Sequence, residues 1–187
     1  MSKVVYWMSV SLDGYIESRD HDIGWTAPDD TLHRYFNDEA RKAGAFLHGR
    51  RMYELMSGYW PTADAVPSAS DTIVDFARIW RDKPKIVFSR TLRTVEWNSR
   101  LAGPDIGSEV RKLKETTHGD LQVGGAGIAA SLMKLGLVDE FLLFVRPIVL
   151  GGGTPYFPRL DRPIPLALTE SRAFGGGVTM LRYERQE

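Results

Sequence analysis

Residues 3–11, KVVYWMSVS, form a β-branched and aromatic run whose only charge is at its start, and they predict a buried strand. Leu12-Asp13-Gly14-Tyr15 then reads as a turn. Over 29–43 the period lengthens. Leu32, Phe36 and Ala40 recur at helical spacing behind an Asp-Asp start, and Gly44 reads as the helix end. AFLHG, 45–49, predicts a short strand and Arg50 to Met56 a short helix. Residues 57–70, rich in Pro, Ser and Ala, predict a loop. Asp71 to Trp80 predicts a helix, and Lys85 to Ser89 a strand. Val95 to Trp97 is read as a second, weaker strand.

In the second half, Ile106, Val110 and Leu113 mark a helix over 105–117, Leu121 to Val123 a strand and Ile128 to Leu135 a helix. Asp139 to Val145 predicts a strand entering Arg146-Pro147, which Ile148 to Leu150 could continue. Residues 164–186 hold two strand-like runs joined by three glycines, a hairpin. Strands alternate with helices and a hairpin follows. This order predicts one α/β domain over 1–187, with a mostly parallel sheet that carries an antiparallel edge.

Composition narrows the function classes. The 24 basic and 24 acidic residues cancel, and no block of five like charges occurs, so a nucleic-acid binder is not indicated. Absence of cysteine excludes disulfides, thiolate catalysis and cysteine-based metal sites. No apolar stretch reaches the roughly 20 residues that span a bilayer, and the first residues do not resemble a signal peptide; a cytoplasmic protein is the expectation. His21, His33, His48 and His118 show no i, i+4 pairing, and neither H-E-x-x-H nor G-x-S-x-G occurs, so no metal site and no α/β-hydrolase is expected.

Candidate chemistry gathers where strands end. LQVGGAGIAASLM, 121–133, strips the backbone bare at a strand-to-helix junction through Gly124, Gly125, Ala126 and Gly127, with Ile128 opening the apolar run that follows. Two readings stand: a tight turn that needs glycine, or an anion pocket in which helix-start N–H groups face a phosphate. At Gly49-Arg50-Arg51 two guanidiniums open a helix, where a cation opposes the helix dipole unless an anion lies beside it. A solvated Arg pair is the other reading. Ser89-Arg90-Thr91 again offers hydroxyl and guanidinium donors, or only an ordinary turn. In open α/β sheets ligands bind beyond the carboxyl ends of strands, so one ligand with several phosphates would account for all three sites.

SLDGYI (11–16), HGRRMYE (48–54), IVFSRT (86–91) and VGGAGIAASLMKLGLVDEFLLFVRPIVLGGG (123–153) followed by TPYF resemble, in order, the dihydrofolate reductase-like superfamily. The similarity is greatest to the reductase domain of bifunctional riboflavin-biosynthesis deaminase-reductases and their stand-alone bacterial relatives. It implies a three-layer α/β/α sandwich with a central mixed, mostly parallel sheet and a C-terminal antiparallel hairpin. It also implies NADPH, held by Gly49, Arg50 and Arg51, by Ser89 and Arg90, and by Gly124 to Ile128. The implied substrate side lies at strand one. Asp13 is the leading polar candidate there, for positioning a heterocycle or a proton donor, unless it is only a turn residue.

Trp25 and Trp60 are placed on the same substrate side, with core or lid packing as their other reading. Met52 stands where relatives often carry Thr. Asp29, Asp30, Asp38 and Glu39 are the acidic residues near the first helix. The expected activity is NADPH-dependent reduction of a small heterocycle, a pterin or dihydrofolate-like ring or the phosphoribosylaminopyrimidine of riboflavin biosynthesis. The alternative is a non-catalytic nucleotide-binding or stress-related module, and a flavin-linked oxidoreductase is a third option. The apolar run DEFLLFVRPIVL leads us to expect a homodimer.

Overall fold

A computed structural model describes residues 1–186. Its strands are β1 (Val4–Ser11), β2 (Tyr15–Glu17), β3 (Ala43–Gly49), β4 (Lys85–Phe88), β5 (Ser99–Leu101), β6 (Asp120–Gly124), β7 (Glu140–Arg146), β8 (Thr154–Pro155), β9 (Leu166–Ala173) and β10 (Thr179–Arg185). The helices are α1 (Asp30–Lys42), α2 (Arg50–Ser57), α3 (Asp71–Asp82), α4 (Ile106–Thr116) and α5 (Ala126–Lys134). Eight strands form one sheet in the order β5-β4-β3-β6-β1-β7-β10-β9. Strands β5 through β7 are parallel, while β10 and β9 are antiparallel at the edge. β2 and β8 pair separately. The predicted mixed, mostly parallel sheet with a terminal hairpin is therefore present. Among the described residues no helix is long and apolar enough to cross a membrane.

Alternation along the central strands builds two cores. Val4, Tyr6 and Val10 of β1 face Val110 and Leu113 of α4 and Ile128, Ala129, Leu132 and Met133 of α5. Val5 and Trp7 face the opposite way, with Leu32 and Phe36 of α1 and Leu142 and Phe144 of β7. Further along that face Phe46 packs with Ala40, Phe76 and Trp80 of β3, α1 and α3. The chain runs outward from β1 to β3 and β4, then returns from β5 to β6 and β7. The two halves consequently place their helices on opposite faces, as the uniform hand of such crossovers requires.

Four local expectations change. Gly44 does not end α1; it lies inside β3. A Cβ there would sit 2.3 Å from the His118 carbonyl oxygen and 2.5 Å from Thr117 Cγ2, so glycine permits close chain approach rather than a helix cap. Val95–Trp97 is not a strand. The Glu96 backbone is held by the Tyr53 hydroxyl, which accepts from its N–H at 2.8 Å, and Trp97 and Asn98 adopt φ of 59° and 53°. The strand forms two residues later, as β5.

Residues 148–150 do not extend β7, because Pro147 offers no ladder N–H and the Leu150 N–H turns to Asp13. The 57–70 segment holds a 3₁₀ turn, Trp60–Ala65, anchored by Arg81 forked onto Asp64 at 2.9 and 2.7 Å. The apolar DEFLLFVRPIVL run also finds its reason here. β7 is an interior strand paired on both sides, so its apolarity follows from burial and carries no argument for self-association.

Gly44→Ala should destabilise the protein by about 1–3 kcal/mol, because backbone rather than a flexible side chain blocks the new methyl. A urea melt checks this. Gly127→Ala, whose Cβ meets nothing within 4 Å, should stay within about 0.5 kcal/mol of wild type.

Candidate active site at the carboxyl ends of the strands

The parallel strands finish on one edge in register. Gly49 of β3 pairs with Phe88 of β4, and His48 with Gly124 of β6. Val123 pairs with Tyr6, so β1 runs five residues further, to Ser11, which lies opposite Arg146 of β7. β6 is thus a short strand between longer neighbours. Its chain leaves towards α5 on one face, while β3 and β1 lead to helices on the other. Opposed exits of this kind open a crevice beyond the strand ends. From β4 to β7 the row spans four strand spacings, about 19 Å.

Two helices begin inside this row. α1, α3 and α4 are capped by Asp29, Ser70 and Asp105, whose side chains accept backbone N–H groups. α2 and α5 have Gly49 and Gly125 at the capping position and no side-chain cap. A Cβ built on Gly49 would lie 4.0 Å from the Ile128 backbone nitrogen, so the two uncapped starts abut. The first N–H groups of a helix have no partner within it, and the partial positive charges of both starts point into one place.

The bare backbone of 124–127 serves several purposes at once. Gly125 holds φ at +101°, a left-handed value that favours glycine. Gly124 lets α2 close on β6, since its Cβ would lie 3.3 Å from Met52 Cγ and 3.4 Å from His48 Cδ2. Gly127 faces open space, while Ala126 and Ile128 continue the first turn, Ile128 with its side chain in the core. Met52 fills the contact over Gly124 and Gly125.

Beside the helix starts, Arg50 donates from Nε to Glu54 at 2.9 Å and from NH1 to Thr91 Oγ1 at 3.1 Å, reaching the loop after β4. Ser89 Oγ accepts from the N–H groups of Thr91 and Leu92 at 3.2 and 3.0 Å, shaping that loop, and Arg90 is exposed on it. Arg50, Ser89, Arg90, Gly124 and Gly125 therefore share one rim.

Arg51 turns the other way. Its guanidinium forks onto Glu17, with NH2 to Oε2 at 2.5 Å and NH1 to Oε1 at 2.9 Å, and approaches His21 Nδ1 at 3.0 Å. Thr154 donates its hydroxyl to the same carboxylate. Burial alone would raise the Glu17 carboxyl; hydrogen bonds from Thr154 and His21 and the charge of Arg51 outweigh it and hold the group below its ordinary range. This clamp joins α2 to the β2–β8 pair. No local sequence pattern announces Glu17.

Asp13 lies at the end of β1. Its carboxylate accepts from Ser11 Oγ at 2.7 Å and from the N–H groups of Leu150 and Gly151 at 3.0 and 2.7 Å. Those bonds, that of Ser11 first, hold its pKa below the usual value. Asp13 therefore anchors the glycine loop after β7 over the end of β1. Trp25 sits in a 3₁₀ turn, Gly24–Thr26, and lines a cleft with Arg146 and the hairpin glycines. Trp60 is a packing residue. Its ring lies 4.4 Å from Phe76 and 5.9 Å from His33, between α1 and α3, and this replaces the substrate-side expectation for it.

The chain matches the model of the RibD C-terminal domain over residues 2–180 and belongs to that family. Two uncharacterised Bacillus subtilis proteins are similar along nearly their whole length. YyaP is 31% identical over 182 residues, 97% of this chain and 94% of its own. YwjB is 26% identical over 187 residues, 98% of each. Among solved structures, a protein of Shewanella sp. PV-4 assigned to riboflavin biosynthesis superposes with a TM-score of 0.79 at 22% identity, covering 100% of both chains. The Thermotoga maritima diaminohydroxyphosphoribosylaminopyrimidine deaminase/5-amino-6-(5-phosphoribosylamino)uracil reductase superposes with a TM-score of 0.71 at 16% identity, over 99% of this chain and 57% of that one. These likenesses confirm the dihydrofolate reductase-like sandwich.

His48 is buried against Phe46, its Nδ1 without a partner among the described residues. Burial, with the charge of Lys85 second, pushes its imidazole down to about 3. Folding therefore excludes a proton that the unfolded chain binds below about pH 6.5, and the stability present above that pH is lost as pH falls towards 3. Urea melts between pH 6.5 and 4.5 should show wild type losing more stability than His48→Gln, by up to about 1.4 kcal/mol per pH unit. Loss of ionised Glu17 adds in the same direction only at lower pH, as its depressed pKa is approached.

Proposed function

We propose that this protein is an NADPH-dependent reductase of a small heterocycle, either a pterin-like ring or a phosphorylated aminopyrimidine. The observation that carries the reading is the meeting of two uncapped helix starts, α2 and α5, beside the arginines of one rim. Free amides that converge next to guanidinium groups suit a dinucleotide, whose pyrophosphate and 2′-phosphate are separate anions. Family membership supports the same assignment.

Gly124, Gly125, Ala126, Gly127 and Ile128 would receive the pyrophosphate at the start of α5, with Gly49 closing the far side. Arg50, Ser89 and Arg90 would hold the 2′-phosphate. Arg51 reaches a phosphate only by leaving Glu17, so we place it as a clamp first and a cofactor contact second. NADPH supplies a hydride when bound. The chain positions the acceptor ring beyond β1 and keeps the loop after β7 closed over that strand through Asp13. Asp13 is ionised at neutral pH and accepts hydrogen bonds, which makes it a positioning residue; the proton for the reduced substrate comes from water.

Titration monitored by nicotinamide fluorescence should show saturable NADPH binding. Arg50→Met and Arg90→Met should each weaken NADPH at least about tenfold while changing NADH little, since only NADPH carries the 2′-phosphate. Equal losses for both cofactors would remove the phosphate assignment. NADPH consumption with dihydropterin or aminopyrimidine substrates distinguishes the enzyme from a binding module.

A further inference from the structure

A buried arginine, Arg146, and a partly buried one, Arg182, have opposite surroundings. Arg182 lies among Glu39, Glu140 and Glu170 at 2.7, 3.0 and 3.5 Å. Arg146, 6% exposed at the end of β7, has no carboxylate within 4.0 Å among the described residues. Its guanidinium donates to the Thr26 carbonyl, to the Ala27 carbonyl at 3.3 Å and to Ser9 Oγ at 3.5 Å. Three of five N–H groups are so engaged, and two are left. A buried charge is costly without a counter-charge, and burial does lower the pKa of this guanidinium, though not enough to discharge it.

The neighbouring cleft holds about 340 Å³ and is walled by Trp25, Leu32, Pro147, Ile148, Val178 and the hairpin glycines. Asp29 is its one acid. One oxygen of Asp29 caps α1 by accepting from the Leu32 N–H at 2.8 Å; the other faces Gly175, whose Cβ would lie 2.5 Å from it. The charge of Asp29 partly offsets the burial of Arg146 without reaching it. The cleft lies on the edge where the strands finish, one strand beyond β1, at the opposite end of the row from Arg50 and Arg90.

We propose that Arg146 forms an oxyanion subsite, which reads an acidic group, carboxylate or phosphate, carried by the molecule that the enzyme reduces. Calling that molecule the substrate rests on the reductase reading; the anion binding does not. A planar fork suits either oxyanion. The volume is at the small end for ligand sites and fits an acidic arm rather than a whole substrate.

The test uses the protein without cofactor, at fixed ionic strength, titrated separately with inorganic phosphate and with benzoate. Tryptophan fluorescence is followed, and Trp25→Phe serves as the blank. One anion should give a saturable change that the blank lacks, and which one does so tells a phosphate arm from a carboxylate arm. Arg146→Met should weaken it at least about tenfold, and Arg50→Met should leave it unchanged. If Arg146→Met does not fold, Gly176→Asp sets a carboxylate on the exposed cleft rim, where φ of 65° tolerates Asp and no atom lies within 4 Å, and should abolish the response. Absence of saturation by both anions, or wild-type binding in either cleft variant, overturns the subsite. Saturation without NADPH binding keeps the subsite and removes the reductase reading; NADPH binding without saturation does the reverse.

Discussion

The structure turns on the amide N–H groups that two helices leave unmet at one point. Elsewhere this chain caps its helices with Asp29, Ser70 and Asp105. At α2 and α5 it places Gly49 and Gly125 instead, and Gly49 lies against the first turn of α5, where a Cβ on it would be 4.0 Å from the Ile128 nitrogen. A helix start without a cap must find water or an anion. Two such starts side by side, between strand exits that leave on opposite faces, make a place where negative charge is favoured and side chains do not block it. The glycine positions, the short β6 and the arginine rim all follow from keeping that place accessible.

Several other buried ionisable groups have partners, while His48, whose Nδ1 has none among the described residues, is kept neutral by its burial. Lys85, 1% exposed, donates to the Trp80 and Lys83 carbonyls at the end of α3 and sits 4.2 Å over the Trp80 ring. Burial still lowers its pKa to about 8, with the charge of Asp82 opposing. Arg182 has its three carboxylates, and Glu17 has Arg51. Arg146, like Lys85, donates only to uncharged partners, but Arg146 also lines an open cleft. Interior charges are costly without an answering group, and for Arg146 the chain supplies only the distant charge of Asp29, beyond ion-pair range.

Much of the fold was legible. The β-branched and aromatic run marked β1, the apolar DEFLLFV run marked β7, the Asp-Asp start with its apolar stripe marked α1, and Ile106, Val110 and Leu113 marked α4. Gly44 and the 95–97 segment misled because their reasons are tertiary: a carbonyl from 118 and a hydroxyl from Tyr53, neither near in sequence. DEFLLFVRPIVL invited an interface reading, although an interior strand of a parallel sheet has the same composition. The phosphate-side residues stood out because glycine and arginine cluster at strand ends. Glu17 and Arg146 did not, since each is a single residue whose significance lies in which partners the fold supplies or withholds. Asp13 was visible as a strand-end acid, but only the structure reveals that backbone amides 137 and 138 residues away hold it.

The central claim is that three separate strand ends close on one dinucleotide. Hydrogen exchange of the backbone amides, with and without saturating NADPH, tests it most directly. The account predicts that segments 49–52, 89–92 and 125–129 gain protection together, at one ligand concentration. Protection of one segment alone, or of none while NADPH is bound, would contradict it.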